Sequence, residues 1–258
     1  MRKSGLVLAG IAASLLLGAT AKADSFVITY GAPGVTTPDS AIMSGATVLG
    51  TETFNSLSVG CGGFTTTYGT GGAITGTYSS GACIETPTQY GGAGGTGLFV
   101  DAIGGTSGYT ITLTTSSSVP GVNYFGFWLS ALDMGNQLVF LNSGTVVGTF
   151  TPADLIADLG ACPEAYCGNP SGPFKGQDAG QQYAFVNFVD TTGFFNEIEV
   201  FESPDVGNYE SDNHTVAYCS NVQACISGHV VGATPEPPAL LLLATGLLGL
   251  ALAVRKLS

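Results

Sequence analysis

Carboxylates dominate the side chains able to do chemistry in this chain. Eighteen Asp and Glu stand against 6 Lys and Arg, 2 His and 6 Cys. Oxygen donors of this kind suit calcium, and facing carboxylate pairs suit glycoside hydrolysis. Asp101, Asp133, Asp190, Asp205, Glu210 and Asp212 fall at strand ends or in loops, where exported β domains often hold a structural ion. Asp101, Asp133, Asp190 and Asp212 are the candidate calcium ligands among them. Acids gathered without lysine repel one another unless a cation lies between them. Plain surface solubility is the alternative, and both readings stay open on sequence. No EF-hand loop or nonapeptide calcium repeat is present. Glu197 and Glu199 alternate along a strand and so share one face, which fits a solvated surface; Glu202 lies just beyond.

Other chemistries find less support. His214 and His229 lie in no H-E-x-x-H arrangement, and no G-x-S-x-G elbow occurs. Gly92-Ala93-Gly94-Gly95-Thr96-Gly97 matches G-x-G-x-x-G formally. A strand, Leu98-Phe99-Val100, follows it where a dinucleotide site needs a helix. Trp128 is expected in the core, with an exposed sugar-stacking role as its alternative. No resident cofactor is expected apart from calcium.

All six cysteines lie between the chain ends: Cys61, Cys83, Cys162, Cys167, Cys219 and Cys225. An even count in an exported chain favours disulfides. Spacing favours three local pairs, Cys61–Cys83, Cys162–Cys167 and Cys219–Cys225. A four-thiolate metal site is the alternative, but these spacings exceed those of common zinc knuckles.

Short strands must position these groups. Alternating or β-branched runs separated by Gly, Ser, Asn and Pro predict strands over 25–30, 47–54, 73–78, 97–103, 109–115, 124–132, 137–141, 145–150, 182–189 and 196–201, with a weaker one over 214–218. Asn142-Ser143-Gly144 reads as a hairpin turn. One helix is expected after Thr151, with Thr151 as cap, Pro152 at its first position and Gly160 at its end. The fold class is therefore all-β, an antiparallel sandwich or jelly roll with one short helix.

The charges sort the chain into segments. Residues 24–234 hold 17 acids and one base, Lys175, giving −16. Nucleic acid is excluded as a partner, because phosphate neutralisation needs Lys and Arg. Residues 1–23 read as a signal peptide: Arg2 and Lys3, an apolar Leu6–Leu17, then Ala21-Lys22-Ala23 for signal peptidase. At the other end, Ala239 to Val254 is an uncharged apolar run, about 24 Å long as a helix. That is near the length of a membrane span, and Arg255-Lys256 would stay cytoplasmic. The expected organisation is signal peptide 1–23, ectodomain 24–218, linker with a small disulfide loop 219–234, and C-terminal signal 235–258 with a transmembrane helix over 239–254.

Pro235-Glu236-Pro237, the apolar run with Gly246-Leu247-Leu248-Gly249-Leu250 inside it, and Arg255-Lys256 together resemble a PEP-CTERM sorting signal. The resemblance covers about 24 residues; Pro238 and the short basic cluster depart from the usual pattern. It implies a Gram-negative bacterium that makes exopolysaccharide, and an exosortase that recognises Pro-Glu-Pro and removes the tail. The stretch 121–150, with 185–190 and 194–200, loosely resembles the β-sandwich domains common ahead of such tails. The implied protein is non-enzymatic, anchored in the inner membrane before processing, and then released to or attached at the cell surface in a polysaccharide matrix. A calcium-dependent carbohydrate-binding or adhesive module is the alternative, and a secreted hydrolase a third. The hydrolase reading requires a cleft with two carboxylates or an accessible Ser-His pair.

Overall fold

The computed structural model describes residues 25–102, 108–170, 172–204 and 207–231. The segment expected to be a signal peptide, the Pro-Glu-Pro motif, Arg255, Lys256 and the apolar run lie outside these residues, as does Asp205. Among the described residues no helix is long and apolar enough to cross a membrane.

The described chain is an antiparallel β-sandwich. Its strands are β1 (Phe26–Tyr30), β2 (Val48–Glu52), β3 (Gly60–Cys61), β4 (Phe64–Tyr68), β5 (Ile74–Tyr78), β6 (Ala82–Glu85), β7 (Phe99–Ala102) and β8 (Tyr109–Thr115). They continue as β9 (Tyr124–Leu132), β10 (Asn136–Asn142), β11 (Thr145–Phe150), β12 (Gln182–Asp190), β13 (Glu197–Glu202), β14 (Tyr209–Tyr218) and β15 (His229–Val230). One sheet runs β15-β1-β12-β9-β14-β7-β6-β3, with β2 also on β14; the other runs β11-β10-β13-β8-β5-β4.

Side-chain alternation explains how the sheets meet. On β9, Phe125, Phe127 and Leu129 face the second sheet and join the main core. Tyr124 and Trp128 face outward, yet both are fully buried. Loops roof this outer face, so β9 and β12 are buried along their whole length. Trp128 packs at 5.6 Å from Tyr183, under Val35 and Ala93. It is a core residue, as expected, but on the far side of the sheet from the main core. Gly126 leaves room there: a Cβ would overlap the Tyr124 hydroxyl, which donates to Asn187 Oδ1 at 2.7 Å.

Three α-helices occur among the described residues, not one. Asp39 caps α1 (Ser40–Gly45) by accepting from the Ala41 and Ile42 amides. The expected helix is α2 (Ala153–Leu159), closed by Gly160 at φ 84°. Pro152 sits at its N-cap position rather than its first turn, so Thr151 makes no cap bond. The third is α3 (Val222–Cys225), between Cys219 and β15.

All three expected disulfides form, Cys61–Cys83, Cys162–Cys167 and Cys219–Cys225. The segment read as a linker after residue 218 is instead part of the sandwich as far as it is described. Cys219 and Cys225 are buried with Ile42 and Tyr124, and β15 adds to the sheet beside β1.

Candidate functional site

The roof on the outer face stops at one end of the larger sheet, and an open pocket of about 550 Å³ lies there. Its walls are Tyr90, Ala131, Asp133, Gln181, Gly207, Asn208 and Glu210. Asp133 and Glu210 are its acids, and a third acid pairs with Glu210 in the sheet. Glu210 lies on β14 directly opposite Asp101 on β7. Val100 and Ala102 face the core, so Asp101 and its neighbour Glu210 face outward. Asp133 follows the last residue of β9, held where its own amide donates to Asn136 Oδ1 at 2.7 Å.

Buried carboxylates fix the remaining wall. Asp101 Oδ2 accepts from Asn208 Nδ2 at 3.0 Å, and Glu202 Oε2 accepts from the Gly207 amide at 2.9 Å. Asn136 Nδ2 donates to Glu202 Oε1 at 2.7 Å. Gln181 Nε2 donates to Asp133 Oδ1 at 2.8 Å. The Tyr183 hydroxyl lies 2.8 Å from the Gln89 carbonyl and 2.7 Å from Asp178 Oδ2 and shares its one proton between them, which sets the loop carrying Tyr90.

Glu210 differs from its neighbours. It is 9% exposed, and no side chain among the described residues hydrogen-bonds its carboxyl. Burial raises its pKa first, and the Asp101 charge adds to that, to about 9. Burial, with Glu85 nearby, raises Asp101 to about 7, and Asp101 Oδ1 is buried without a hydrogen-bond partner. Burial also raises Asp133. Among the described residues no charged group of opposite sign enters this set, and burial favours the protonated carboxyls.

The four candidate calcium ligands do not share a site. Asp101 and Asp133 both flank Glu210. Asp190 closes β12 at the opposite end of the sheet, where Oδ1 accepts from the Thr192 and Gly193 amides. Asp212 lies further along β14, and its Oδ2 accepts from the Ala93 amide at 2.7 Å, tethering the glycine loop over Trp128. Burial holds Asp212 up at about 7 despite that bond. Among the described residues no three His, Cys, Asp or Glu are grouped to hold a metal.

The structure does contain a Ser-His pair. His214 Nε2 and Ser211 Oγ are 2.9 Å apart, and Nδ1 meets the Tyr78 hydroxyl at 2.9 Å. Both residues are 1% exposed, between the sheets. The Tyr68 hydroxyl meets that of Tyr78, and the Tyr109 hydroxyl meets Ser211, so the chain of bonds ends in core tyrosines. Burial lowers His214 to about 3. The pair is closed off from solvent, and its bonds satisfy buried polar groups.

Glu197 and Glu199 share the partly solvated face of β13, as expected, while Glu202 turns inward with Ile198 and Val200. Neither reaches the pocket. A smaller concavity of about 330 Å³ beside Cys61, lined by residues 57–64 and Ile84, has no charged side chain. Sequence reasoning named Asp133 and Glu210 separately but missed Tyr90, Gln181 and Asn208. Their only sequence signal is a planar polar or aromatic side chain in a turn-rich segment. No family model, curated protein or solved structure matches the chain.

Proposed function

We propose that this chain is an exported, non-enzymatic surface or matrix protein, sorted and trimmed by an exosortase and associated with extracellular polysaccharide. Signal peptidase removes the leader, and the apolar 239–254 segment holds the chain in the inner membrane until the tail is processed. One observation carries the reading: Pro235-Glu236-Pro237, an apolar run and Arg255-Lys256 lie on one side of the body, and residues that read as an export signal lie on the other. Three disulfides in the body fit an oxidising compartment. Intact mass spectrometry of the native protein, reduced and unreduced, tests it. The expected species starts at Asp24, has lost the tail, and gains six hydrogens on reduction. A native protein retaining residues 1–23 and 235–258 refutes it.

A second reading, a carbohydrate-binding or adhesive module, is favoured by the pocket. Planar amides and carboxyls beside an exposed tyrosine offer hydroxyl partners and a stacking surface. Calcium dependence of that module is tested by melting the protein with calcium and with chelator; identical melting temperatures refute it. The non-enzymatic reading is itself overturned if the protein hydrolyses glycosides and Glu210→Gln abolishes the turnover.

A further inference from the structure

We infer that the pocket around Glu210 and Asp133 binds a hydroxylated organic cation of the amino-sugar class, its ammonium on the two carboxyls and its ring on Tyr90. The inference rests on the binding-module reading and is independent of sorting.

Glu210 provides the first argument. A carboxyl that is 9% exposed and bonded by its own backbone amide, with no side chain on it, keeps further acceptor capacity. What surface it keeps lines the pocket. The groups facing it are Asp101 on β7, Asp133 after β9, Glu202 on β13 and Tyr183 on β12. All are acidic or neutral. Among the described residues nothing supplies the positive charge, since Lys175 is their sole Lys or Arg and is exposed elsewhere.

Size and composition narrow the ligand. About 550 Å³ falls in the range of small-molecule sites and is far too large for a bare ion. An anion, such as a phosphate or uronate, would sit beside Asp133 and Glu210 with no basic group in the wall to balance it. A purely apolar ligand would strand Asp133, Gln181, Asn208 and Glu210. Gln181 and Asn208 each tie one group to a wall carboxylate and keep further donor and acceptor capacity for hydroxyls. Tyr90 is 43% exposed and presents a ring to the same space, suited to a sugar face or a cation. An ammonium beside Glu210 also displaces its proton, because Glu210 is protonated at neutral pH in the free protein.

Calorimetry on the full-length protein in detergent at pH 7 tests this, with D-glucosamine as probe and D-glucose, N-acetylglucosamine, glucuronate and calcium as comparators. Glucosamine should bind at least about tenfold more tightly than any comparator. Its heat should differ between buffers of unlike ionisation enthalpy, which reports proton release. Glu210→Gln should weaken glucosamine about tenfold or more and remove the buffer difference; Trp128 emission checks its fold. Tyr90→Ala, at an exposed position, should weaken glucosamine with the fold intact. Glucose binding as well as glucosamine overturns the inference and leaves the binding-module reading standing. No saturable binding of any sugar sinks both, and calcium alone binding overturns the inference in favour of a metal site. An unchanged Glu210→Gln affinity also overturns it.

Discussion

Replacing Glu210 by Gln should make this protein more stable, and increasingly so as pH rises. The carboxyl ordinarily titrates at 4.5 and is held at about 9 in the fold. Asp101, at about 7, ionises first, and its charge then helps keep Glu210 protonated. Between 4.5 and 9 the folded chain keeps a proton that the unfolded chain releases. The Glu210 contribution to stability is therefore greatest below pH 4.5, falls through this window, and levels off above 9. Each pH unit is worth about 1.4 kcal/mol for one group. From pH 5 to pH 8 the wild-type protein should lose about 4 kcal/mol through this residue alone. The Gln variant keeps the shape and loses the titration.

The assay is thermal or urea unfolding of both proteins at pH 5 and pH 8. Trp128 is the only tryptophan and is fully buried, so its emission reports the transition. The gap in melting temperature should widen by roughly 10 °C between the two pH values for a domain of this size. Parallel pH curves for the two proteins would refute the reasoning. So would a gap that widens toward acid pH.

Other consequences are open to the same measurement. The Cys61–Cys83 pair spans 22 residues, so replacing both by Ser should cost about 3 kcal/mol of loop entropy, read as a lower urea midpoint. Gly126→Ala should cost about 1–3 kcal/mol, because its Cβ meets the Tyr124 hydroxyl and the Phe185 ring; a neutral effect would show that the outer face yields. His214 is held at about 3, below its ordinary 6.5, so the folded chain takes up its proton late and stability falls as pH drops through that window. Wild type should lose about 3 kcal/mol through this group between pH 6.5 and 4, and His214→Gln, less stable at neutral pH, should show a correspondingly flatter curve.

The sandwich was legible where alternation was. The runs at 109–115, 124–132 and 145–150 became β8, β9 and β11 at those bounds. β14 was half missed, for a physical reason. Its residues from Glu210 to Thr215 are all polar, yet they are buried on both faces. Hydrophobic periodicity cannot find a strand whose burial is met by hydrogen bonds to Tyr78, Ala93 and Thr36. β4 and β6 were missed because Thr- and Cys-containing runs among glycines read as loops. The pocket was less legible still, since Tyr90, Asp133, Gln181 and Glu210 are brought together by strand order, which residue spacing does not encode. The cysteine pairs were readable because each closes a short span, and β3–β6 pairing places Cys61 opposite Cys83.

The shortage of basic residues connects these points. In most proteins a buried acid is answered by Lys or Arg; here Asp101, Glu210 and Asp212 are answered by amides or by protons. Between pH 4.5 and 6.5 each of the three removes about 1.4 kcal/mol per pH unit as pH rises, while His214 returns the same amount. These four groups together therefore favour mild acid, with a net slope of about 3 kcal/mol per pH unit against neutrality. A cation bound at Glu210 opposes this loss, because it stabilises the ionised carboxyl only in the folded chain. Its stabilising effect should thus grow with pH. A permanently charged amino-sugar derivative, one whose nitrogen is fully methylated, should raise the melting temperature more at pH 8 than at pH 5. An equal rise at both values would mean that the ligand does not take the place of the Glu210 proton.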